Sequence, residues 1–451
     1  MKKKKFRVFL GLSEIAGNFS RLKIGLTSLG HEVFFYAPSG HLYSYPGIDA
    51  APLELNILFE QEYLRIMSRR ELMSSRVSAI RLVWRFKLVW WKLKNICKFI
   101  FFAKKFDVFI FHYGNSFHWK ALLVHFDDLF WLRFIRRKII FLYCGSDSRP
   151  AWIDGAIAHS VPNYDAKTLA EISKNNAENN IGIERAASYI ISNVFSSYFF
   201  TRQAISLQAI GNAAHIPSKP KPPPMRKAPV IVHAPSRSDA KGTAEIVRCI
   251  EELRAEGLEM TLIILQGKNN SEILEALDNC DFVIDQLYSD LPLATFASEA
   301  AGYGKPSIVG TYIPSSEYAT AYGVHGVPPS AICHPDDLKA AVRTMVCDVE
   351  KRVRLGLDAR EYVQRVLSPE IVAQRYIKLF RGEVPREWIF DPKSISIAPP
   401  VGMPASLATR LLRESKQFHS FDYYFSHKVG ICASLARLEK GENDEFNKFK
   451  R

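Results

Sequence analysis

Residues 6–36, FRVFLGLSEIAGNFSRLKIGLTSLGHEVFFY, decide the fold class. The apolar run 6–12 predicts a buried strand, the glycines around its end mark a turn, and the pattern of 18–29 predicts a helix. A second strand is expected over 32–36, because Gly30 closes the helix and apolar residues follow it. Strand, glycine turn, helix and strand in this order form a βαβ unit, which requires a parallel sheet covered by helices.

The same alternation of strand and helix patterns starts again at residue 230. Before it lies the segment 216–229, IPSKPKPPPMRKAP, whose six prolines neither a helix nor a central strand can absorb. We therefore predict an α/β protein with two Rossmann-like, doubly wound domains that face each other across a cleft. The domains span 1–215 and 230–381, the proline-rich segment links them, and 382–451 form a C-terminal helical tail.

The composition indicates a globular protein. Of its 451 residues, 47% are hydrophobic and 24% charged, which excludes a disordered or collagen-like chain. The seven cysteines are scattered and never spaced as CxxC, so we expect neither a disulfide framework nor a metal site, and a reducing cytoplasm fits. No apolar run is long enough to span a membrane, and the N-terminal MKKKKFRVFLGLSEIAG is interpreted as a basic leader into the first strand.

The positive charge is concentrated in one segment. The net charge is +14, and residues 65–105 contain twelve Lys or Arg against the single acid Glu71, with Trp and Phe between them. A helical projection of about 76–105 gathers an apolar face that is flanked by Lys and Arg on both sides: Leu82, Phe86, Val89, Leu93, Ile96 and Ile100. Such an amphipathic helix can lie on an anionic membrane or pack on its own sheet, and both interpretations stay open. No recognition motif indicates a nucleic acid as partner.

Two clusters in the second half could carry chemistry. Arg237 directly follows the strand VIVHAPS, and Lys241 and Gly242 stand at the start of the next helix. Cations at a helix N-terminus can bind a diphosphate and stabilise its departure, although ordinary surface charge explains them equally well. Glu299, on a helix that runs into Gly304, could accept hydrogen bonds from both ribose hydroxyls or be a solvent-exposed helix residue.

The order of these motifs resembles a known family. VIVHAPSRSDAKGT, FVIDQL, SEAAGYGKPSIVG and CHPDDLKAAV, followed by a helix ending in YIKLF, are similar to the C-terminal domain of glycosyltransferase family 4, which has the GT-B fold. The stretches GLSEIAGNFSRLKIGLTSLGHEVFFY, FDVFIFHYGNS and LYCGSDSRP resemble, more loosely, the acceptor domain of the same family. The resemblance covers roughly residues 6–381.

This resemblance implies transfer of a sugar from a nucleotide-sugar donor to a hydroxyl acceptor, with retention at the anomeric carbon and without a bound metal or other cofactor. By analogy, the donor diphosphate is held by Arg237, Lys241 and Gly242, and the ribose by Glu299. The glycine loop from Gly11 to Gly17 abuts the donor phosphates or the acceptor.

The analogy also suggests that His112 and Asp147 face the cleft as catalytic residues. A buried histidine at a strand end and a turn residue are the alternatives for these two positions. The chain departs from the family twice. Leu291 stands where the first of two glutamates is common, so backbone amides near it would have to bind the sugar, and Cys144 replaces a common histidine.

The sequence therefore predicts a cytoplasmic glycosyltransferase that acts in cell-surface polysaccharide or glycolipid synthesis. Its acceptor would be a glycan or a lipid-linked glycan, presented at the inner face of an anionic membrane on which the protein lies peripherally. A nucleotide-sugar 2-epimerase of the same fold and a non-catalytic binding subunit are the alternatives.

Overall fold

The computed structural model of the protein describes residues 4–37, 47–49, 90, 96–112, 128–418 and 428–440. These residues form two α/β domains, each built on its own sheet. The two Rossmann-like domains face each other across a cleft, which confirms the predicted GT-B architecture.

The first sheet has seven strands in the order β12-β6-β5-β4-β3-β1-β2. Its strands are parallel except β12, which pairs with β6 in the antiparallel sense. They are β1 (Arg7–Gly11), β2 (Glu32–Tyr36), β3 (Val108–His112), β4 (Lys138–Leu142), β5 (Tyr189–Ser192), β6 (Ala204–Ser206) and β12 (Ile389–Phe390). The helices of this half are α1 (Asn18–Ser28), α2 (Asp128–Phe134), α3 (Gly155–Ala158), α4 (Ala166–Ala186) and α5 (Leu207–Ile210).

The second sheet has five parallel strands in the order β11-β10-β9-β7-β8. They are β7 (Val230–His233), β8 (Thr261–Ile264), β9 (Phe282–Ile284), β10 (Ser307–Gly310) and β11 (Ala331–Cys333). The helices are α6 (Ser238–Lys241), α7 (Thr243–Ala255), α8 (Asn270–Asn279), α9 (Thr295–Gly302), α10 (Ser315–Ala321), α11 (Leu338–Cys347), α12 (Val349–Val366) and α13 (Pro369–Arg381). Two helices follow in the tail, α14 (Ala405–Ser415) and α15 (Val429–Lys440).

The βαβ unit predicted from residues 6–36 is confirmed. Its strands pair in parallel, with Arg7 opposite Glu32, and α1 covers them through the buried side chains of Phe19, Leu22 and Leu26. The proline-rich segment 216–229 contains neither a helix nor a strand, as its composition predicts.

The C-terminal part returns to the first domain. Helix α13 packs on α1 so closely that a Cβ at Gly25 would overlap the carbonyl oxygen of Pro369. Strand β12 then extends the first sheet beyond β6, and α14 packs on α4 and the 3₁₀ turn Ala151–Ile153. The chain after α12 therefore joins the two domains.

The predicted amphipathic helix of about 76–105 lies mostly outside the described residues. Its end, residues 96–103, is helical and packs on the first sheet through Phe99, Phe102 and Ala103. Ile96 and Ile100, from the predicted apolar face, are half-buried beside them. At this end the structure therefore shows a helix packed on its own sheet. In the described part of the chain no helix has the length and apolar character needed to cross a bilayer.

Candidate functional site

The two domains enclose a cavity of about 500 Å³. Its lining residues include members of the loops that follow β1, β4, β7, β8 and β9, so it lies at the carboxyl ends of both sheets. Open parallel α/β sheets bind their ligands at this edge. The loops there are free of packing within the sheet, so their side chains can contact a ligand.

Arg237 and Lys241 line this cavity from the second domain. Arg237 precedes the short helix α6, and its guanidinium donates to the carbonyl oxygen of Ala156 in the first domain. The Lys241 ammonium donates to the side-chain oxygen of Gln286 and lies 3.5 Å from a carboxylate oxygen of the buried Asp285. Both head groups are therefore held at the cavity wall by groups that an incoming anion could replace.

Gly242 positions this pair without lining the cavity. It has a φ of 71° and stands between α6 and α7, where it ends one helix and begins the next. A Cβ at this position would lie 2.8 Å from the Cβ of Leu287, so the left-handed backbone and the close neighbour both require glycine. The prediction that it helps to hold a diphosphate stays a prediction.

Glu299 also lines the cavity and is buried, so it is not a solvent-exposed helix residue. Its carboxylate accepts hydrogen bonds from the guanidinium of Arg21, on α1 of the first domain, and from the amide of Asn270 at 3.3 Å. Burial raises the pKa of Glu299, although Arg21 favours its charged form. The group predicted to bind ribose thus forms an ion pair between the domains, and the structure brings it into the same cavity as Arg237 and Lys241.

The glycine loop reaches the cavity through other residues than its glycines. Ile15, Ala16 and Asn18 line the cavity, whereas Gly11 and Gly17 do not. Gly17 has a φ of 74° and begins α1. The loop therefore lies beside the cavity, as the resemblance implies. Its two glycines shape the backbone and do not contact the cavity.

A carboxylate of the chain itself occupies the start of α1. Glu14 accepts hydrogen bonds from the backbone N–H groups of Phe19 at 3.2 Å and Ser20 at 2.9 Å, and from the Ser20 hydroxyl at 2.6 Å. Burial raises the pKa of this carboxyl. Because these N–H groups are already satisfied, the start of α1 is a poor place for donor phosphates.

The two residues predicted to be catalytic do not line the cavity. His112 is fully buried at the end of β3, with its ring stacked on Phe19 at a centroid distance of 3.7 Å. Burial lowers the pKa of His112 to about 3, so the ring is neutral at pH 7. The expectation that this side chain faces the cleft is not met, since the ring packs against Phe19 of α1.

Asp147 is a turn residue. Its carboxylate accepts from the backbone N–H groups of Gly145 at 2.9 Å and Cys144 at 3.3 Å, and burial raises its pKa to about 6. It therefore shapes the loop after β4 and does not face the cavity, contrary to the expectation. Cys144 does line the cavity, and burial raises the pKa of its thiol well above the usual value.

Leu291 lines the cavity too. Because it stands in place of a glutamate, backbone N–H groups near it would have to bind the sugar, but the two nearest positions offer none for this. Its N–H donates to the hydroxyl of Ser289 at 3.1 Å, and the next residue, Pro292, has no N–H. The expectation that adjacent backbone amides replace the absent glutamate finds no support at these two positions.

Sequence reasoning missed a second ion pair between the domains. Arg149 of the first domain donates to Asp290 of the second at 2.5 Å and to Asp154 at 3.2 Å. Asn193 donates to the same oxygen of Asp290 at 2.8 Å. Arg149, Asp154 and Asp290 are buried and line the cavity. In the sequence, Arg149 and Asp290 are recognisable only as charged residues in polar loops that follow strands. No local pattern indicates that they form an ion pair.

More cations than acids line the cavity. Five cations and three acids line it: Arg21, Arg149, Arg237, Lys241 and Lys268 against Asp154, Asp290 and Glu299. All three acids are bound by Arg21 or Arg149. Of the other lining cations, Lys241 lies 3.5 Å from Asp285 and Lys268 3.0 Å from Glu272, two acids just behind the wall, whereas Arg237 donates to a backbone carbonyl. The cations that reach the cavity surface on the side of the second domain can attract an anionic ligand.

Comparison with protein-family models found no match, and neither did comparison with curated proteins. Among solved structures the chain is similar to Alr3699/HepE of Anabaena in complex with UDP and glucose, at 13% identity and a TM-score of 0.44 over 84% of this chain and 100% of that one. It is also similar to sucrose-phosphate synthase of Thermosynechococcus elongatus, at 12% identity and a TM-score of 0.44 over 84% and 99% of the two chains. The glycosyltransferase SnogD of Streptomyces nogalater gives 14% identity and a TM-score of 0.38 over 83% and 100%. These similarities are too low to carry an argument about function, which depends on the geometry of the cavity.

Proposed function

We propose that the protein transfers a sugar from a nucleotide-sugar donor to a hydroxyl group of an acceptor. The observation that supports this most directly is that Arg237, Lys241 and Glu299 line one cavity between the domains. Two cations and a carboxylate are the groups that a nucleoside diphosphate needs, for its phosphates and for its ribose hydroxyls.

Binding of the donor would exchange contacts that already exist. Arg237 now donates to the neutral carbonyl oxygen of Ala156, and Lys241 donates to the side-chain oxygen of Gln286 while it lies 3.5 Å from the Asp285 carboxylate. A diphosphate offers charged oxygens instead, and hydrogen bonds between charged partners are roughly twice as strong as neutral ones. The ribose hydroxyls would bind the Glu299 carboxylate beside or in place of Arg21.

The proposed reaction needs no metal, because fixed cations take up the charge that develops. The bond between the anomeric carbon and the diphosphate oxygen breaks, and its electron pair stays on that oxygen beside Arg237 and Lys241. The acceptor hydroxyl oxygen bonds to the anomeric carbon from the same face, which retains the configuration. Its proton passes to the departing phosphate oxygen. His112 and Asp147 have no part in this step.

The acceptor we propose is a glycan or lipid-linked glycan, in polysaccharide or glycolipid synthesis on the cytoplasmic side of a membrane. The basic segment 65–105 supports this location, because cations with interleaved aromatic residues are typical of proteins that bind anionic membranes.

A panel of UDP-, GDP- and ADP-sugars tests the proposal, first by thermal shift and then by transfer to candidate acceptors. The ligand that raises the melting temperature should lose this effect with Arg237→Ala and Lys241→Ala, and turnover should fall by about a hundredfold in each. Arg248→Ala, an exposed arginine on α7, is the matched control and should leave both unchanged. Normal turnover in both cavity variants would refute the assignment.

A non-catalytic binding subunit is a second candidate, favoured by two specific observations. Arg21 already occupies Glu299, and the backbone N–H of Leu291 is engaged by Ser289. Such a subunit would bind the nucleotide sugar but neither hydrolyse nor transfer it. Any donor hydrolysis or transfer by the purified chain, lost with Lys241→Ala, would eliminate this candidate.

A further inference from the structure

A second cavity, of about 390 Å³, opens on the first domain. Its residues precede or begin β4, β5 and β6, so it lies at the amino ends of these strands, the edge opposite the cavity between the domains. Six of its nine lining residues are basic and none is acidic: Arg133, Arg136, Arg137, Lys138, Arg185 and Arg202, with Ala186, Ala187 and Ser188.

Three of these six cations donate to backbone carbonyl groups. Arg202 donates to the carbonyl oxygen of Ala187 at 2.8 Å, and Lys138 to that of Phe380 at 2.7 Å. Arg133 donates to the carbonyl oxygen of Arg185. Carbonyl groups position a cation without cancelling its charge. The cavity is therefore strongly positive.

The nearby acids are already engaged. Asp107 lies 3.9 Å from Arg137, but it also pairs with Arg7 at 3.2 Å. Glu184 accepts from the backbone and hydroxyl of Thr201 and from the backbone of Arg202. Burial lowers the pKa of Arg202, the Glu184 carboxylate raises it, and the charge of Arg133 lowers it.

Exposed aromatic side chains border this basic cavity. Helix α2 buries Leu129 and Leu132 in the domain, whereas Phe130 is 54% and Phe134 67% exposed. Arg133, which lines the cavity, is exposed on the same helix. Four of the five exposed Phe and Trp side chains of the described residues fall within 90–134, and the other two of these four are Trp90 and Phe101. Exposed aromatic rings beside cations are unfavourable in water and suit the boundary between lipid headgroups and acyl chains.

We propose that this surface, formed by the basic cavity and the outer face of α2, docks on a bilayer that contains anionic phospholipids. Headgroup phosphates would enter the cavity, and Phe130 and Phe134 would lie at the interface. The aromatic residues favour a bilayer over a small soluble anion, which would contact the cations alone. The inference depends on the proposed function only for the identity of the acceptor that the membrane carries. Docking itself needs no sugar transfer.

Cosedimentation of the full-length protein with phosphatidylcholine vesicles, with and without phosphatidylglycerol, tests the docking. We expect binding to the anionic vesicles and a loss of about a hundredfold in Arg133→Glu/Arg136→Glu/Arg185→Glu, since each basic residue near such a surface contributes about 1 kcal/mol. The control Lys227→Glu/Lys351→Glu/Arg354→Glu changes the net charge equally at exposed positions of the second half and should bind as the wild type does.

The aromatic contribution has its own variant. Phe130→Ser/Phe134→Ser keeps every charge, and it should weaken vesicle binding while leaving the melting temperature unchanged, because both rings are exposed. The docking surface is refuted if the charge variant binds anionic vesicles as its control does. It is also refuted if inorganic phosphate binds the cavity while the charge variant and the aromatic variant both bind vesicles as the wild type does. Turnover on a soluble acceptor is measured separately, so failure of docking and failure of sugar transfer are distinguishable.

Discussion

The ion pair between Arg21 and Glu299 makes a quantitative prediction. It joins α1 of the first domain to α9 of the second, and the two side chains are 8% and 3% exposed. In Arg21→Met the Glu299 carboxylate keeps the Asn270 amide at 3.3 Å but loses its counter-charge. An unpaired buried charge costs about 3–5 kcal/mol, so we expect a loss of that order in the free energy of unfolding.

The double variant separates the ion pair from its neighbours. Glu299→Gln alone leaves the Arg21 guanidinium buried with the Ala16 carbonyl at 3.1 Å, and this should also destabilise the protein. Arg21→Met/Glu299→Gln removes both charges, so it should cost less than the sum of the single variants by about 1–3 kcal/mol.

Urea unfolding followed by circular dichroism and tryptophan fluorescence measures these energies, with the first transition analysed if the domains unfold in steps. The exposed pair of Lys5 and Glu32, at 2.7 Å, is the control, and Lys5→Met/Glu32→Gln should show a coupling of at most about 1 kcal/mol. If Arg21 and Glu299 prove additive to within about 0.5 kcal/mol, the pair does not hold the domains together.

Three further predictions concern stability. Burial lowers the pKa of His112 to about 3, so between pH 6.5 and 3 the unfolded chain binds a proton at this residue and the folded protein does not. The free energy of unfolding should therefore fall by about 2 kcal/mol from pH 7 to pH 5, and His112→Phe should remove this part of the acid dependence. Lys428, whose pKa burial lowers to about 7, should make the protein about 2 kcal/mol more stable at pH 9 than at pH 7, and a pH titration of Lys428→Met should lack that rise. Gly155→Ala should lower the melting temperature, because its Cβ would overlap the Gly402 carbonyl, whereas Gly182→Ala on α4, with no neighbour in the way, should raise the unfolding free energy by about 0.5–1 kcal/mol.

The elements of the fold were predictable because local patterns encode them. The predicted helix 18–29 and strand 32–36 agree with α1 and β2 to within a residue, since apolar periodicity and glycine turns act over a few positions. The placement of Arg237, Lys241 and Glu299 in one cavity follows from the same topology, because the carboxyl ends of parallel strands share an edge.

The contacts within the site were not predictable from the sequence. Arg21 and Glu299 are 278 positions apart and Arg149 and Asp290 141 apart, so no local pattern records either pair. His112 shows the complementary error. It stands at a strand end, as catalytic residues often do, but every residue of β3 is buried and the His112 ring stacks on Phe19 of α1. Which strand ends are covered by a helix depends on tertiary packing.

The two ion pairs between the domains have a consequence for the rate of turnover. Separating the domains would break both buried pairs, Arg21 with Glu299 and Arg149 with Asp290, and so opening of the cavity carries an energetic cost. If release of the product limits turnover, a substitution that weakens one of these ion pairs should raise kcat. The same substitution should lower the affinity for the donor. Salt should barely alter that step, because ions do not screen charges that water cannot reach.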